Sequence, residues 1–172
     1  MSVLARTIFF DSVKTPLGLF QIAATERGLV QINFPKHHRP TPRQQKIQGC
    51  TKGILKSTKI FLSCFLAGRC NRYPHIPIDW DFFAPFDRRV LKTLMKVPQH
   101  RTVISYSELA RRSGAPRAAR AVGSALNRNP IPILIPCHRV VRKDRVLGGY
   151  GAGIRWKKML LNLDKKLARR LS

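Results

Sequence analysis

The residues with the clearest potential for chemistry in this chain are Cys137 and His138, which directly follow Pro136. A thiol becomes an effective nucleophile when it lies in a rigid, partly buried place beside a proton acceptor and positive charge. His138 offers the acceptor and Arg139 offers the charge. The proline stiffens the backbone before the cysteine and removes one hydrogen-bond donor. The pattern predicts a reactive cysteine, although an inert packed thiol is the commoner use of this residue.

The charge of the chain predicts an anionic partner for this chemistry. Its 172 residues include 33 Lys and Arg against 8 Asp and Glu, which gives a net charge of +25 at pH 7. Such an excess attracts nucleic acid or anionic membrane surfaces without specificity. No apolar run is long enough to span a membrane, and the N-terminal residues do not form a signal-peptide pattern. We therefore expect a cytoplasmic protein that associates with the nucleoid.

The other cysteines could in principle form disulfides or hold a metal ion. Without a secretion signal we expect reduced thiols. A zinc site would also need closely spaced ligand pairs, and no CxxC pair occurs. We therefore expect no metal site among the residues that could supply one, which are His37, His38, Cys50, Cys64, Cys70 and His75.

The elements that must position Cys137 fall into two regions, and the first is rich in strands. Short β-prone runs alternate with turn residues at 15–18 and 26–28. A polar basic loop over 35–48 and a helix from about Ile54 to Leu66 follow. The proline-rich stretch from 71 to 85 has the composition of an extended connection between domains.

The second region is helical. Ser105 opens a capping-box pattern, and Pro116 is suited to start another helix that runs to about Leu126. Two short helices joined by a turn with glycine are typical of a helix-turn-helix motif or of a plain helical hairpin, and the charge favours DNA binding. A C-terminal amphipathic helix places Trp156 and later leucines on one face and Lys157 on a solvated basic face. We predict an α+β fold with a β-rich domain at 1–80 and a helical domain at 81–172.

Together these pieces resemble the O6-alkylguanine-DNA alkyltransferases, also called methylated-DNA–protein-cysteine methyltransferases. The match is close from Val90 to Asp164, whereas the first eighty residues match only in their general pattern of residue types. It is carried in order by residues 104–106, 118–123, 129–130, 132–141, 148–150 and 160–161, of which Pro136-Cys137-His138-Arg139-Val140 are the most specific.

The resemblance implies both an architecture and a reaction. A ribonuclease-H-like N-terminal domain would precede a domain with a winged-helix-like helix-turn-helix motif. The protein would act as a monomer without a cofactor on double-stranded DNA. It would move an alkyl group, such as methyl, from O6 of guanine, and also from O4 of thymine, to its own cysteine after the nucleotide has turned out of the duplex. Because the thioether is stable, each molecule would act once.

The resemblance also implies roles for single residues. Cys137 would accept the alkyl group, and His138 would take its proton through a water molecule. Asp164 stands where the family has a glutamate that orients this histidine, so its side chain is one methylene shorter. Tyr106 would donate a proton to the departing guanine. Asn129 would tie the helix-turn-helix motif to the active-site segment.

Further positions would contact DNA or the extruded base. Arg120 would enter the base stack, and the small residues around it would let the helix approach the minor groove. The positions expected at DNA are Ser105, Arg117, Ala118, Ala119, Arg120 and Arg128. The positions expected around the base are Tyr106, Pro132, Val140, Gly148, Gly149, Tyr150 and Gly151.

Three other functions remain open on the residues alone. Alkyltransferase-like proteins bind damaged DNA without transfer; they lack the cysteine, so Cys137 argues against this function while Asp164 keeps it open. A helix-turn-helix regulator would need side chains that read base edges, and the alanine-rich helix has few. A cysteine hydrolase would need an oxyanion hole and a third catalytic residue, for which no pattern is evident.

Overall fold

A computed structural model describes residues 7–35, 49–70, 73–98, 103–144 and 146–169. The predicted mixture of helices and a small sheet is confirmed. The chain divides into two compact units, Met1–Phe82 and Phe83–Ser172. Most of the predicted basic loop, with His37 and His38, lies outside the described residues.

The N-terminal unit is an antiparallel sheet with one helix packed against it. Strands β1 (Phe9–Thr15), β2 (Gly18–Ala24) and β3 (Leu29–Asn33) lie in that order, and the predicted turns connect them. Helix α1 (Gly49–Leu66) packs on β1 and β2. It begins earlier than predicted, and buried Thr51 lies in the additional turn.

The end of α1 corrects the expectation that all cysteines are reduced. Gly68 adopts a φ of 68°, a left-handed conformation that ends the helix and reverses the chain. This turn brings the Cα atoms of Cys64 and Cys70 to 5.2 Å, and the two residues form a disulfide. Cys50 is free and exposed, whereas Cys137 is free and buried.

The C-terminal unit consists mainly of four helices. They are α2 (Pro85–Met95), α3 (Tyr106–Arg112), α4 (Ala119–Asn127) and α5 (Ile154–Arg169), with strand β4 (Ile104–Ser105) parallel to β5 (Val140–Val141). Helix α2 packs on α3 and α4. Asp87 accepts two hydrogen bonds of 2.8 Å from Arg128, which joins α2 to the C-terminal end of α4.

The start of α3 agrees with the sequence prediction in part, whereas the start of α4 differs from it. Ser105 Oγ accepts a hydrogen bond from Glu108 N at 3.1 Å, so the predicted cap of α3 forms. The Glu108 carboxylate bonds instead to arginines one turn further along, and only half of the capping box is present. Helix α4 begins at Ala119 rather than Pro116, because the residues before it form a turn in which Ala118 N donates to Ala115 O.

Helix α5 is amphipathic as predicted, but its buried face has unexpected members. The side chains that point into the unit are Lys157, Leu160, Asp164, Leu167 and Ala168. The prediction that Lys157 lies on the solvated face is therefore wrong. None of the helices in the described part of the chain is long and apolar enough to cross a membrane.

Candidate active site

The apolar run before Cys137 forms a compact turn rather than the buried strand that its composition suggests. Ile135 N donates to Ile131 O at 3.0 Å, and Ile133 has a φ of 74°. A β-branched residue seldom adopts this left-handed conformation, so its surroundings must hold it there. Asn129 clamps both ends of the turn: its Nδ2 donates to Ile135 O and its Oδ1 accepts from Ile131 N, each at 3.0 Å.

Cys137 lies immediately after this clamped turn, in a short 3₁₀ segment that ends at Arg139. The thiol is almost buried, and its Sγ lies 3.8 Å from Tyr150 Oη. Burial raises the pKa of Cys137, while hydrogen bonds from Asn129 and Tyr150 and the charge of Lys157 act against that rise. The site therefore favours the neutral thiol at rest but contains the groups that would stabilise a thiolate.

A fully buried network lies beside the cysteine. His138 Nε2 is 3.0 Å from Asp164 Oδ2, so the shorter aspartate side chain does reach the histidine. Arg139 donates to both oxygens of Asp164, with Nε at 2.7 Å and Nη2 at 3.0 Å. Such a two-point contact fixes the carboxylate in orientation as well as in position. Asp164 thus joins α5 to the active-site segment.

The pKa directions in this network set the state of the histidine. Burial lowers the pKa of His138 and outweighs the opposing influence of Asp164. Burial acts to raise the pKa of Asp164, but the bonds from His138 and Arg139 prevail and lower it to about 2. At neutral pH a neutral imidazole therefore donates Nε2–H to an ionised carboxylate. Its Nδ1, which has no hydrogen-bond partner among the described residues, is left as a proton acceptor.

Lys157 is the most unexpected residue near the thiol. Its side chain is fully buried, and its ammonium group donates to the carbonyl of Val140 at 2.7 Å and of Gly148 at 3.3 Å. Burial lowers the pKa of Lys157, whereas the adjacent Cys137 raises it. The ammonium group also lies 5.8 Å from the centre of the Tyr106 ring. Lys157 therefore places a positive charge beneath the cleft and holds the loop that forms its wall.

The thiol opens into a cleft of about 460 Å³. Its lining residues are Tyr106, Ala119, Gly123, Leu126, Asn127, Cys137, Arg142, Gly148, Gly149, Tyr150 and Gly151. Five of the seven positions predicted around the base are in this set. Pro132 and Val140 are not, because Pro132 is buried in the turn before the cysteine and the side chain of Val140 is buried in β5.

Tyr106 packs tightly against one wall of the cleft. A Cβ atom placed on Gly148 would lie 2.6 Å from Tyr106 Oη, so only glycine fits there with the ring in its present position. On the opposite side, a Cβ atom on Gly123 would make ordinary contact with the ring at 3.7 Å. Burial raises the pKa of Tyr106, and the nearby Cys137 raises it further. The phenol therefore stays protonated at neutral pH.

The positions predicted to contact DNA occupy different environments. Arg117 and Arg120 are exposed, and Ala118 and Ala119 are half-buried. Ala119 lines the cleft, and exposed Arg120 is the next residue of α4. The Ser105 hydroxyl caps α3, and the Arg128 guanidinium is paired with Asp87. Within the described parts of the chain, no group of three or more His, Cys, Asp or Glu side chains could hold a metal ion.

Known proteins share both the sequence and the fold described above. A family model for the DNA-binding domain of 6-O-methylguanine DNA methyltransferase matches residues 85–166. The methylated-DNA–protein-cysteine methyltransferase of Mycobacterium tuberculosis is 51% identical over 168 residues, covering 94% of this chain and 94% of its own length. This chain belongs to that family.

Further relatives agree with this assignment. The human methylated-DNA–protein-cysteine methyltransferase is 33% identical, and the match covers 87% of this chain and 77% of the human protein. A crystal structure of the Mycobacterium tuberculosis protein OGT in complex with DNA superposes with a TM-score of 0.75. That superposition covers 93% of this chain and 94% of the other, and 30% of the paired residues are identical.

Sequence reasoning about this methyltransferase-family chain missed Lys157 and Arg142 near the cysteine. A signal for Lys157 was present, since Lys157, Leu160 and Asp164 follow the spacing of one helix face. No comparable signal marks Arg142, because the irregular loop that follows β5 decides where that side chain lies.

Proposed function

We propose that the protein transfers an alkyl group, such as methyl, from O6 of guanine in double-stranded DNA to Cys137. O4-alkylthymine is a second substrate of the same chemistry. The observation that carries the proposal is the position of Cys137, a nearly buried thiol at the base of a cleft and next to a neutral histidine. The transfer consumes the acceptor, so each molecule acts once.

Activation of the thiol depends on the buried network. Because Nε2–H of His138 is committed to Asp164, the lone pair on Nδ1 takes the proton of Cys137, directly or over one water. The positive charge of Lys157 and hydrogen bonds from Asn129 and Tyr150 stabilise the thiolate that results. Arg139 keeps Asp164 ionised and therefore keeps the histidine in the required tautomer.

The transfer itself is a displacement at the alkyl carbon. A bond forms between Sγ and that carbon as its bond to O6 of guanine breaks, and the electron pair leaves with the base. The protonated phenol of Tyr106 supplies a proton to the departing guanine and regains one from solvent. The alkyl group then stays on Cys137 as a thioether, because the proposed reaction includes no step that removes it.

Access to the alkyl group requires that the nucleotide leave the duplex. We propose that α3 and α4 form a helix-turn-helix motif and that α4 enters the minor groove. Ala119 and Gly123 of α4 line the cleft, and exposed Arg120 lies beside them. Arg120 would fill the space that the extruded base leaves. Arg117 adds charge on the same side, whereas Arg128 already has a carboxylate partner and contributes less.

The remaining parts of the proposal concern organisation. The N-terminal unit, a three-stranded antiparallel sheet with one helix, acts as a ribonuclease-H-like domain that precedes the DNA-binding domain. The protein acts as a monomer, because one copy of the chain supplies every residue that the proposed reaction uses.

The decisive experiment measures the mass of the intact protein after incubation with duplex DNA that contains O6-methylguanine. We expect a gain of one methyl group in place of hydrogen, confined to the peptide with Cys137. Cys137→Ser should bind the duplex and gain no mass, while Cys50→Ser, at the other free thiol, should react like the parent protein. Tight binding by the parent protein without a mass change would instead indicate a damage-binding protein without transfer activity.

A further inference from the structure

Arg142 is the one formally charged side chain among the described residues that line the cleft. Its neighbours on the wall are glycines, apolar side chains and neutral polar groups. A lone cation on an otherwise uncharged wall has a direct electrostatic consequence, since it favours a ligand that carries a negative charge at that place.

The backbone holds Arg142 in position. It directly follows β5, whose Val141 pairs with Ser105 of β4. The Arg142 N–H donates to Val146 O at 3.0 Å, which closes a tight turn. The root of the side chain is thus fixed at the cleft, while its guanidinium remains more than half exposed.

No carboxylate in the described residues satisfies this guanidinium. The nearest acid is Asp144, whose Oδ2 lies 3.9 Å from Arg142 Nε, beyond hydrogen-bond distance. The other oxygen of Asp144 accepts from Val146 N at 3.0 Å, so the turn rather than the arginine orients this carboxylate. Both side chains are exposed, and an ion pair of this kind contributes little. Arg142 therefore retains most of its capacity to bind an anion.

We propose that Arg142 forms an anion subsite of the cleft, which binds an oxyanion carried by the substrate. The inference rests on the proposed alkyl transfer. Two parts of a substrate could supply this chemistry. One is the phosphodiester beside the extruded nucleotide, and the other is a carboxylate at the end of the alkyl group, as in O6-carboxymethylguanine. Arginine binds either group through two parallel N–H donors.

The test compares Arg142→Gln with Lys143→Gln by the second-order rate of Cys137 alkylation. Lys143 is the adjacent residue, exposed and absent from the cleft wall, so its variant measures the general effect of one lost charge. The substrates are free O6-benzylguanine, duplex DNA with O6-methylguanine, and duplex DNA with O6-carboxymethylguanine. The free base carries no anion and serves as the reference, so the rate of each variant on a duplex is divided by its own rate with the free base.

If the subsite binds phosphate, Arg142→Gln should lower the alkylation rate about tenfold on both duplexes, which is equivalent to about 1.4 kcal/mol. If it binds the carboxylate, the loss should be confined to the carboxymethyl duplex. Equal rates for the two variants on both duplexes would overturn the inference while leaving alkyl transfer intact. Absence of Cys137 alkylation in the parent protein with all three substrates would overturn the proposed function together with it.

Discussion

Gly148→Ala tests whether the position of Tyr106 in the cleft matters. The new Cβ would lie 2.6 Å from Tyr106 Oη and 3.0 Å from Cε2, whereas ordinary contacts begin at 3.4 Å. The ring must therefore move by roughly 0.8 Å, the difference between the shortest of these distances and an ordinary contact. Forced overpacking of this kind costs about 1–3 kcal/mol of folding free energy. Displacement of Tyr106, the proposed proton donor, should also lower the alkylation rate by roughly tenfold to a hundredfold.

Gly149→Ala is the matched control for this variant. Gly149 is the next residue on the same wall, neither glycine has a positive φ, and a Cβ on Gly149 would meet nothing within 4 Å. Its replacement should be neutral or stabilise the fold by about 0.4–1 kcal/mol, because alanine restricts the unfolded chain. The midpoint of urea unfolding compares the stabilities, and reaction with O6-benzylguanine compares the rates. Equal stability of the two variants would refute the tight packing of Tyr106 on Gly148.

Three further perturbations test the rest of the site. Lys157→Met should raise the pKa of Cys137 and lower its rate of reaction with iodoacetamide at pH 7 about tenfold, as one pKa unit implies; an unchanged pH profile would contradict a role for the Lys157 charge. The carboxyl pKa of Asp164 falls from 3.8 to about 2 on folding. This group therefore contributes about 2 kcal/mol to the free energy of unfolding above pH 4, and the contribution is lost as the pH falls through 2. Asp164→Asn should make the free energy of unfolding in urea less dependent on pH across that range. By removing the carboxylate charge beside buried Arg139 it should also cost about 3–5 kcal/mol at pH 7, whereas exposed Asp144→Asn should not. Arg120→Ala should slow methyl transfer from duplex DNA far more than reaction with free O6-benzylguanine, and equal losses on both substrates would exclude a role in nucleotide extrusion.

Local patterns in the sequence predicted much of the fold. Apolar spacing identified α1 and α5, and turn residues identified the connections of the sheet, because each signal acts within a few residues. The Ser105 cap also formed as predicted. The reactive cysteine could be singled out because its neighbours in the sequence are also groups that can activate it. Its environment could be inferred only through resemblance to a known family.

The failures share a physical cause, since each depends on contacts between distant residues. The apolar composition of the run before Cys137 suggests a strand. The side chain of Asn129 instead forms hydrogen bonds with backbone groups that a neighbouring strand would otherwise bond. A lysine in an amphipathic helix is expected at the surface, because burial of its charge is costly. Burial of Lys157 is possible because backbone carbonyls of distant residues accept hydrogen bonds from its ammonium group. The disulfide depends on the left-handed turn at Gly68, which brings together two cysteines that carry no mark of pairing.

Under the proposed reaction, which consumes Cys137, the pattern of free cysteines would measure how much of the protein has reacted. With Cys64 and Cys70 joined, a thiol reagent should label Cys50 quickly in the folded protein and reach Cys137 slowly. In denaturant an unused molecule should titrate as two thiols and a spent one as a single thiol. The fraction of unused protein in any preparation can thus be counted without DNA. Reductant must be omitted from that count, because it would open the disulfide and add two thiols that take no part in the reaction.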